Sequence, residues 1–237
     1  MTLAPTVTRG YAVRAIVLDV EGTTTPVRFV KDTLFPFARA RLALWIAEHG
    51  DEPETRAACE ALAAYRDEAD ADLASTALRL ADADQKVTAL KALQGLVWEA
   101  GYRDGAIVAP LYPDVAAALA RWHEAGATLA IFSSGSVRAQ QLLFRHTDAG
   151  DLTPQLTAYF DTTTGAKNAP TAYTAIAATL DIPPGEVLFL SDIRAELVAA
   201  RAAGVHALGV AREADVPPPE SDAIRSFETL DILVLRR

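Results

Sequence analysis

The stretch VRAIVLDVEGTTTP, residues 13–26, begins as an apolar strand and ends in two carboxylates, a glycine and three threonines. Its apolar part, residues 15–20, is rich in β-branched residues and too short for a typical helix, so it predicts a strand. An unbroken apolar run is typical of a parallel strand that is covered on both faces. Asp19 and Glu21 stand at the end of this run, where carboxylates indicate a functional site.

Four later runs have the same character and are also predicted as strands: TLAIFSS (128–134), AYFDTTT (158–164), VLFLSD (187–192) and VHALGV (205–210). Predicted helices lie before and between them, at 114–126, 137–146, 170–180 and 194–204. This alternation of strands and helices predicts an α/β fold with a doubly wound parallel sheet.

Residues 27–111 show no strand pattern and contain only helical stretches, at 32–50, 52–69, 71–81 and 83–105. Leu90, Leu93 and Val97 recur at helical spacing, which is typical of a helix that packs in its own core. We therefore predict two domains. The α/β core comprises residues 11–26 and 112–237, and residues 27–111 form an inserted all-helical cap.

Composition excludes several classes of function. The chain has 237 residues and a formal net charge of −9, so it lacks the basic surface expected of a protein that binds nucleic acid or an anionic membrane. Cys59 is the only cysteine, which excludes an intramolecular disulfide and a cysteine-built zinc site. The N-terminal sequence has no signal-peptide pattern, and no apolar run reaches the length of a membrane span. We expect a cytoplasmic monomer.

Polar residues follow four of the predicted strands. Asp19 follows the first, Ser133 and Ser134 the second, Asp161 the third and Asp192 the fourth. In open α/β sheets, ligands bind at the carboxyl ends of the strands, so we expect these residues to face one crevice. For Asp161 the sequence favours a structural role, as an acid that ends a strand.

The residue types at this crevice indicate phosphate chemistry. The sequence SSGS at 133–136 precedes a predicted helix, whose free N–H groups favour an anion. Lys167 lies in a turn before another helix and supplies a point charge for a phosphate. Asp19 and Asp192 supply the hard oxygen ligands that Mg²⁺ prefers. One carboxylate can then attack phosphorus.

The same motifs carry a family resemblance. In chain order they are DVEGT (19–23), FSSGS (132–136), GAK (165–167) and LSDIRAE (190–196), and this set resembles the four motifs of haloacid dehalogenase-like phosphohydrolases. Longer stretches are similar to the acireductone synthase family, the enolase-phosphatases of methionine salvage: EGTTTP (21–26), LKALQGLVW (90–98) and FDTTTGAK (160–167).

The resemblance implies a bifunctional enzyme that uses one Mg²⁺ per chain. Its substrate would be a small phosphorylated diketone, 2,3-diketo-5-methylthiopentyl-1-phosphate. The enzyme would enolise this compound and then remove the phosphate. The product would be the acireductone 1,2-dihydroxy-3-keto-5-methylthiopentene, an intermediate in the salvage of L-methionine from methylthioadenosine.

The resemblance also implies roles for particular residues. Asp19 would be the nucleophile and a metal ligand, and Glu21 would offer its backbone carbonyl to the metal and its side chain to acid–base catalysis. Asp192 would complete the metal shell, and Glu196, one helical turn later, would hold a metal-bound water. The phosphate would be held by Ser133, Ser134 and Lys167.

Two other functions stay open at this point. One is a haloacid dehalogenase-like phosphatase that acts on another small phosphomonoester without enolisation. The other is a non-catalytic, magnesium-dependent binding module on the same fold, although such a module has no need of the complete set of motifs. The base for enolisation is also open between Glu21 and Lys167. Trp98 is predicted to pack in the helical core and is also a candidate to line the methylthio chain.

Overall fold

The computed structural model describes residues 9–85 and 87–235. Residues 1–8, Lys86 and residues 236–237 lie outside the described residues; they include the start of the N-terminal sequence discussed above and the end of the predicted core domain. The structure divides into two compact units. One contains the chain up to Val27 and from Ala109 onward, and the other contains Arg28–Val108.

The first unit is built on a five-stranded parallel sheet, and this confirms the predicted α/β class. The strands are β1 (Arg9–Val13), β2 (Ala15–Leu18), β3 (Thr128–Phe132), β4 (Ala158–Phe160), β5 (Val187–Ser191), β6 (His206–Gly209) and β7 (Leu230–Val234). The strand order is β4-β3-β2-β5-β6, with β2 in the centre. All five predicted strands are present, but each prediction extends one to four residues beyond the carboxyl end of the observed strand.

Strands β1 and β7 were not predicted. They pair in parallel as a separate two-stranded sheet, with Arg9 opposite Leu230 and Val13 opposite Val234. In β7 a buried Leu230 is followed by residues that are exposed or half-buried, so the strand lacks the unbroken apolar run that marks the central strands. The chain beyond residue 211 therefore contains strand β7 as well as an irregular loop around the three consecutive prolines at 217–219.

The helices follow the predicted order. They are α1 (Val27–Phe29), α2 (Phe35–His49), α3 (Pro53–Leu62), α4 (Leu73–Asp82), α5 (Thr88–Arg103), α6 (Val115–Glu124), α7 (Val137–Arg145), α8 (Pro170–Leu180) and α9 (Arg194–Ala202). A π-helical turn, Val30–Leu34, separates α1 from α2, where the sequence predicted a regular helix from residue 32. None of the helices within residues 9–85 and 87–235 has the length and hydropathy of a membrane span.

Helices α8 and α9 cover one face of the central sheet. Alternate residues of the strands point to this face, and Phe132 and Phe189 meet Tyr173 of α8 with ring centroids 5.6 and 5.0 Å apart. Leu197 of α9 joins the same core and is fully buried. On the first unit's other side, α6 packs against β3 and its Trp122 contacts Phe227 at 5.4 Å. This packing fixes where the carboxyl ends of the strands lie.

The second unit is a helical bundle with its own apolar core. Its fully buried leucines come from four different helices: Leu42, Leu62, Leu80, Leu90 and Leu93. Trp98 on α5 packs against this core, and its indole N–H donates to the carbonyl of Leu34 at 2.7 Å. That bond ties the end of the π-helical turn to α5.

Candidate active site

The sheet topology places a crevice at the carboxyl ends of its central strands. The chain leaves β2 toward β3 on one side and leaves β5 toward β6 on the other side. Such a reversal opens a crevice between neighbouring strands in doubly wound sheets. Asp19 follows β2 and Asp192 follows β5, so both predicted ligands lie at this point. The backbone N–H of Asp19 donates to Leu190 at 2.9 Å and holds the carboxylate at the strand end.

A buried cluster of charges forms around Asp19. Lys167 reaches across from the turn before α8, and its Nζ lies 2.5 Å from Oδ1 of Asp19. The same Nζ lies 2.9 Å from Oε2 of Glu196. All three residues are at most 9% exposed. The structure therefore brings together three residues that the sequence placed in separate motifs.

Ser191 links two members of this cluster and was not predicted. Its hydroxyl donates to Oε2 of Glu196 at 2.9 Å and accepts the N–H of Ile193 at 3.0 Å. It also lies 3.5 Å from Oδ2 of Asp19, which is a weak contact. The only sequence signal for this role is a serine at the end of an apolar strand.

The cluster carries more negative than positive charge. Burial would lower the pKa of Lys167, but the carboxylates of Asp19 and Glu196 outweigh burial and raise it, so the lysine stays charged. Burial, followed by the charge of Asp19, raises the pKa of Asp192 to about 7. The same two causes raise the pKa of Glu196. One lysine thus faces three carboxyl groups, and a further cation would stabilise their ionised forms.

Gly22 lets Asp192 approach the loop that follows β2. Its φ is +74°, and a Cβ atom built there would lie 2.2 Å from Oδ2 of Asp192. The other oxygen of Asp192, Oδ1, is buried and has no hydrogen-bond partner among residues 9–85 and 87–235. A buried carboxylate oxygen without a partner is costly unless a ligand takes it. The position therefore fits a bound cation.

The donor set at this point fits magnesium in particular. Among residues 9–85 and 87–235, no three His, Cys, Asp or Glu side chains form a complete metal cluster. The site offers two carboxylates, those of Asp19 and Asp192, together with backbone carbonyls. Mg²⁺ is usually bound by one or two carboxylates and keeps waters and substrate phosphate oxygens as its other ligands.

Glu21 lies in a tight turn. The N–H groups of Thr23, Thr24 and Thr25 all donate to the carbonyl of Val20, at 2.9 to 3.2 Å. Glu21 itself is exposed, whereas the three threonines are fully buried. The turn therefore presents the glutamate to solvent while its own backbone is held inside.

The loop after β3 contains the predicted phosphate-binding serines. Ser133 is buried and accepts the N–H of Gly135 at 3.1 Å, while Ser134 is exposed. Ser136 caps α7 by accepting the N–H of Ala139 at 3.3 Å. Gln140, which was not predicted, donates to the carbonyl of Gly135 at 2.8 Å and so fixes this loop.

Asp161 at the end of β4 makes local contacts. It accepts the N–H of Thr163 at 2.9 Å and the N–H of Val137 at 3.3 Å. Both bonds hold backbone at the ends of β4 and α7. These contacts agree with the structural role that the sequence favours for this residue.

The chain is similar to known proteins over most of its length. Residues 13–204 match the haloacid dehalogenase-like hydrolase family. The chain is 53% identical over 212 residues to enolase-phosphatase E1 of Sorangium cellulosum, which covers 85% of this chain and 91% of that protein. It is 50% identical over 204 residues to enolase-phosphatase E1 of Methylococcus capsulatus, with coverage of 85% and 90%. The crystal structure of the UTR4 protein of Saccharomyces cerevisiae is 33% identical and superposes with a TM-score of 0.78, covering 92% of this chain and 100% of that one. The chain therefore belongs to the haloacid dehalogenase-like hydrolases and, within them, to the enolase-phosphatase E1 family.

Proposed function

We propose that this protein converts 2,3-diketo-5-methylthiopentyl-1-phosphate to the acireductone 1,2-dihydroxy-3-keto-5-methylthiopentene and phosphate, with Mg²⁺ as cofactor. The observation that carries the proposal is the buried Asp19 carboxylate, which Lys167 holds at 2.5 Å beside the unpartnered oxygen of Asp192. Phosphoryl transfer to a carboxylate requires a nucleophile, a positive charge beside it and an oxygen that can bind a metal ion. The Asp19 carboxylate, the ammonium group of Lys167 and Oδ1 of Asp192 match these three requirements.

Asp19 is the proposed nucleophile for phosphate removal. One carboxylate oxygen attacks phosphorus, the bond between phosphorus and the substrate oxygen breaks, and that oxygen takes up a proton from water. Water then hydrolyses the aspartyl phosphate, which releases inorganic phosphate and restores the carboxylate. Lys167 stabilises the charge on the phosphate, and the hydroxyl groups of Ser133 and Ser134 bind its oxygens.

Asp19, Asp192 and the backbone carbonyl of Glu21 would hold Mg²⁺. When bound, the cation offsets the repulsion between these carboxylates and the incoming phosphate. Glu196 contacts Lys167 and Ser191, so we propose that it orients the lysine. This role is additional to the one that the resemblance implies, which is to hold a metal-bound water.

The structure favours Glu21 over Lys167 as the base for enolisation. Lys167 is buried between two carboxylates that raise its pKa, so it holds its proton tightly. Glu21 is exposed and stands two residues after the nucleophile Asp19. We propose that its carboxylate removes the proton from the carbon beside the substrate carbonyl, and that the carbonyl oxygen takes up a proton from water to complete the enol.

The decisive experiment supplies the diketo phosphate with Mg²⁺ and follows enol absorbance and phosphate release together. We expect the enol signal to precede phosphate release, and Glu21→Gln to slow the first signal more than it slows hydrolysis of a pre-formed enol phosphate. Efficient hydrolysis of simple phosphate esters with no enol signal would instead identify a phosphatase for another small phosphomonoester.

Gly22→Ala is expected to lower kcat at least about a hundredfold, because the new methyl group displaces Asp192 from its position. Gly126→Ala is the matched control. Gly126 also has a positive φ, of +92°, but a Cβ there has no atom within 4 Å, so this variant carries the backbone strain alone. Steady-state phosphate release with both variants checks the prediction, and equal losses would assign the effect to strain.

The role of residues 27–111 as a cap stays a prediction, and Trp98 offers a test of it. Trp98→Phe removes the bond to Leu34 and is expected to lower the free energy of unfolding by about 1 kcal/mol. Trp98→Ala is expected to raise KM for the diketo phosphate several times more than KM for p-nitrophenyl phosphate. Equal changes with both substrates, together with a lower melting temperature, would limit Trp98 to the core of the helical unit.

A further inference from the structure

Two neighbouring backbone carbonyls of the turn that carries Glu21 and Gly22 accept hydrogen bonds from residues outside the turn. Its N–H groups are satisfied within the turn, because those of Thr23, Thr24 and Thr25 all donate to Val20. The carbonyl of Thr24 accepts the N–H of Tyr112 at 3.0 Å. The carbonyl of Thr23 accepts Nε of Arg212 at 2.9 Å. Arg212 lies beyond the last motif that the sequence analysis used.

Arg212 is fixed on several sides. Its side chain is 3% exposed, and Nη1 donates to both oxygens of Asp114 at 2.9 and 2.8 Å. Its guanidinium group lies over the rings of Phe227 and Tyr112, 4.2 and 4.9 Å from their centroids. The arginine thus connects the active-site turn to the start of α6 and to the C-terminal segment.

Asp114 is equally well fixed. It is 8% exposed, and its Oδ2 accepts the hydroxyl of Ser226 at 3.1 Å as well as the N–H of Phe227. Burial alone would raise the pKa of Asp114. The hydrogen bonds from the guanidinium group of Arg212 and from the backbone N–H of Phe227 outweigh burial and lower this pKa, so the pair is ionised. The carboxylate therefore anchors the arginine in one orientation.

Stability alone does not account for this pair. Nη2 of Arg212 is buried and finds no hydrogen-bond partner in the part of the chain that the structure describes, which opposes folding. Buried ion pairs can often be replaced by apolar residues without loss of stability. A planar guanidinium, however, can donate to a backbone carbonyl and to a carboxylate in a fixed geometry, which an apolar side chain cannot do.

We propose that Arg212, held by Asp114, is a positioning residue for the active-site turn. It fixes the carbonyl of Thr23 and, through the adjoining peptide, the backbone of Gly22 and Glu21 beside Asp192. The segment that follows Ala211 is therefore part of the scaffold of the metal site, although it carries no catalytic group. The proposal rests on the function proposed above for its catalytic readout and for the Mg²⁺ site whose affinity the test measures.

The test compares Arg212→Met and Asp114→Asn with the control Arg201→Met in the full chain. Arg201 lies in the same unit and also joins a carboxylate, Glu220, to a backbone carbonyl, that of Ala207 at 2.8 Å. Mg²⁺ affinity is measured by calorimetry without substrate, and kcat, KM and melting temperature are measured beside it. We expect Arg212→Met to weaken Mg²⁺ binding and to lower kcat by about 10- to 100-fold each, with KM nearly unchanged. Asp114→Asn should give a smaller loss of the same kind, and Arg201→Met should leave both within twofold.

Two results would overturn the proposal: Mg²⁺ affinity and kcat of Arg212→Met within twofold of the wild type, or an equal loss in Arg201→Met. If Arg212→Met does not fold, Arg212→Lys replaces it, since it keeps the charge beside Asp114 but lacks Nε. At least tenfold weaker Mg²⁺ binding is then expected, and unchanged binding contradicts the proposal. A wild-type protein that binds Mg²⁺ but forms no enol would count against the proposed function, not against this role of Arg212.

Discussion

Asp19→Asn is expected to lower the rate of phosphate release by roughly four orders of magnitude, because it removes the attacking charge while keeping the shape of the side chain. The amide also weakens the contact with Lys167, whose Nζ lies 2.5 Å from Oδ1 of the wild-type carboxylate. Phosphate release at saturating substrate and Mg²⁺ measures the effect. Turnover within tenfold of the wild type would show that Asp19 is not the nucleophile.

Asp161→Asn is the matched control for this experiment. It makes the same chemical change in a carboxylate at the end of another strand of the sheet, where the oxygens accept the N–H groups of Thr163 and Val137. We expect its rate to stay within tenfold of the wild type. A large loss of phosphate release in this variant would show that Asp161 takes part in the reaction.

Removal of Mg²⁺ is expected to abolish activity, and its return is expected to restore it. Asp19 and Glu196 share one lysine, and Oδ1 of the nearby Asp192 has no partner among the described residues, so a phosphate cannot join these carboxylates without a cation. The control is the same concentration of EDTA already saturated with Mg²⁺. Undiminished activity in free EDTA would exclude Asp192 from a metal site.

The same binding should be visible without substrate. A ligand present at a hundred times its Kd stabilises a protein by about 2.7 kcal/mol. We therefore expect the melting temperature of the wild type to rise with Mg²⁺ concentration, and that of Asp192→Asn to rise much less. An equal rise in both proteins would place the bound cation elsewhere.

The central sheet could be predicted because its strands are short, apolar and buried on both faces. The ends of these strands were less predictable. The predicted strands 15–20 and 187–192 include Asp19 and Asp192, which lie in the site and outside the observed strands. No local sequence pattern shows where the strand stops and the site begins. Strands β1 and β7 escaped prediction because β7 is mostly exposed or half-buried and each strand pairs with a partner at the far end of the chain.

Site residues that belong to a sequence motif could be predicted. Residues whose role depends on their contacts in the folded protein could not. Asp19, Lys167 and Glu196 came from motifs, and the structure shows them in contact. Arg212 was missed because its role arises from contacts with Thr23 and Asp114, which are distant in sequence. Ser191 was missed because a serine at the end of an apolar strand does not show which side chain it contacts. Gly22 stands within a quoted motif, but only the position of Asp192 shows why a larger residue cannot replace it.

The pairing of β1 with β7 has a consequence for the synthesis of this protein. The ribosome makes β1 before every other strand described, and its partner, Leu230–Val234, after all of them. During elongation, the five strands of the central sheet leave the ribosome while the edge of β1 that will bind β7 stays open. An unpaired edge can pair with a strand of another chain, and contacts between such distant residues form slowly. The nascent protein therefore keeps one open edge, even after its central sheet is complete, until the last of the described strands emerges.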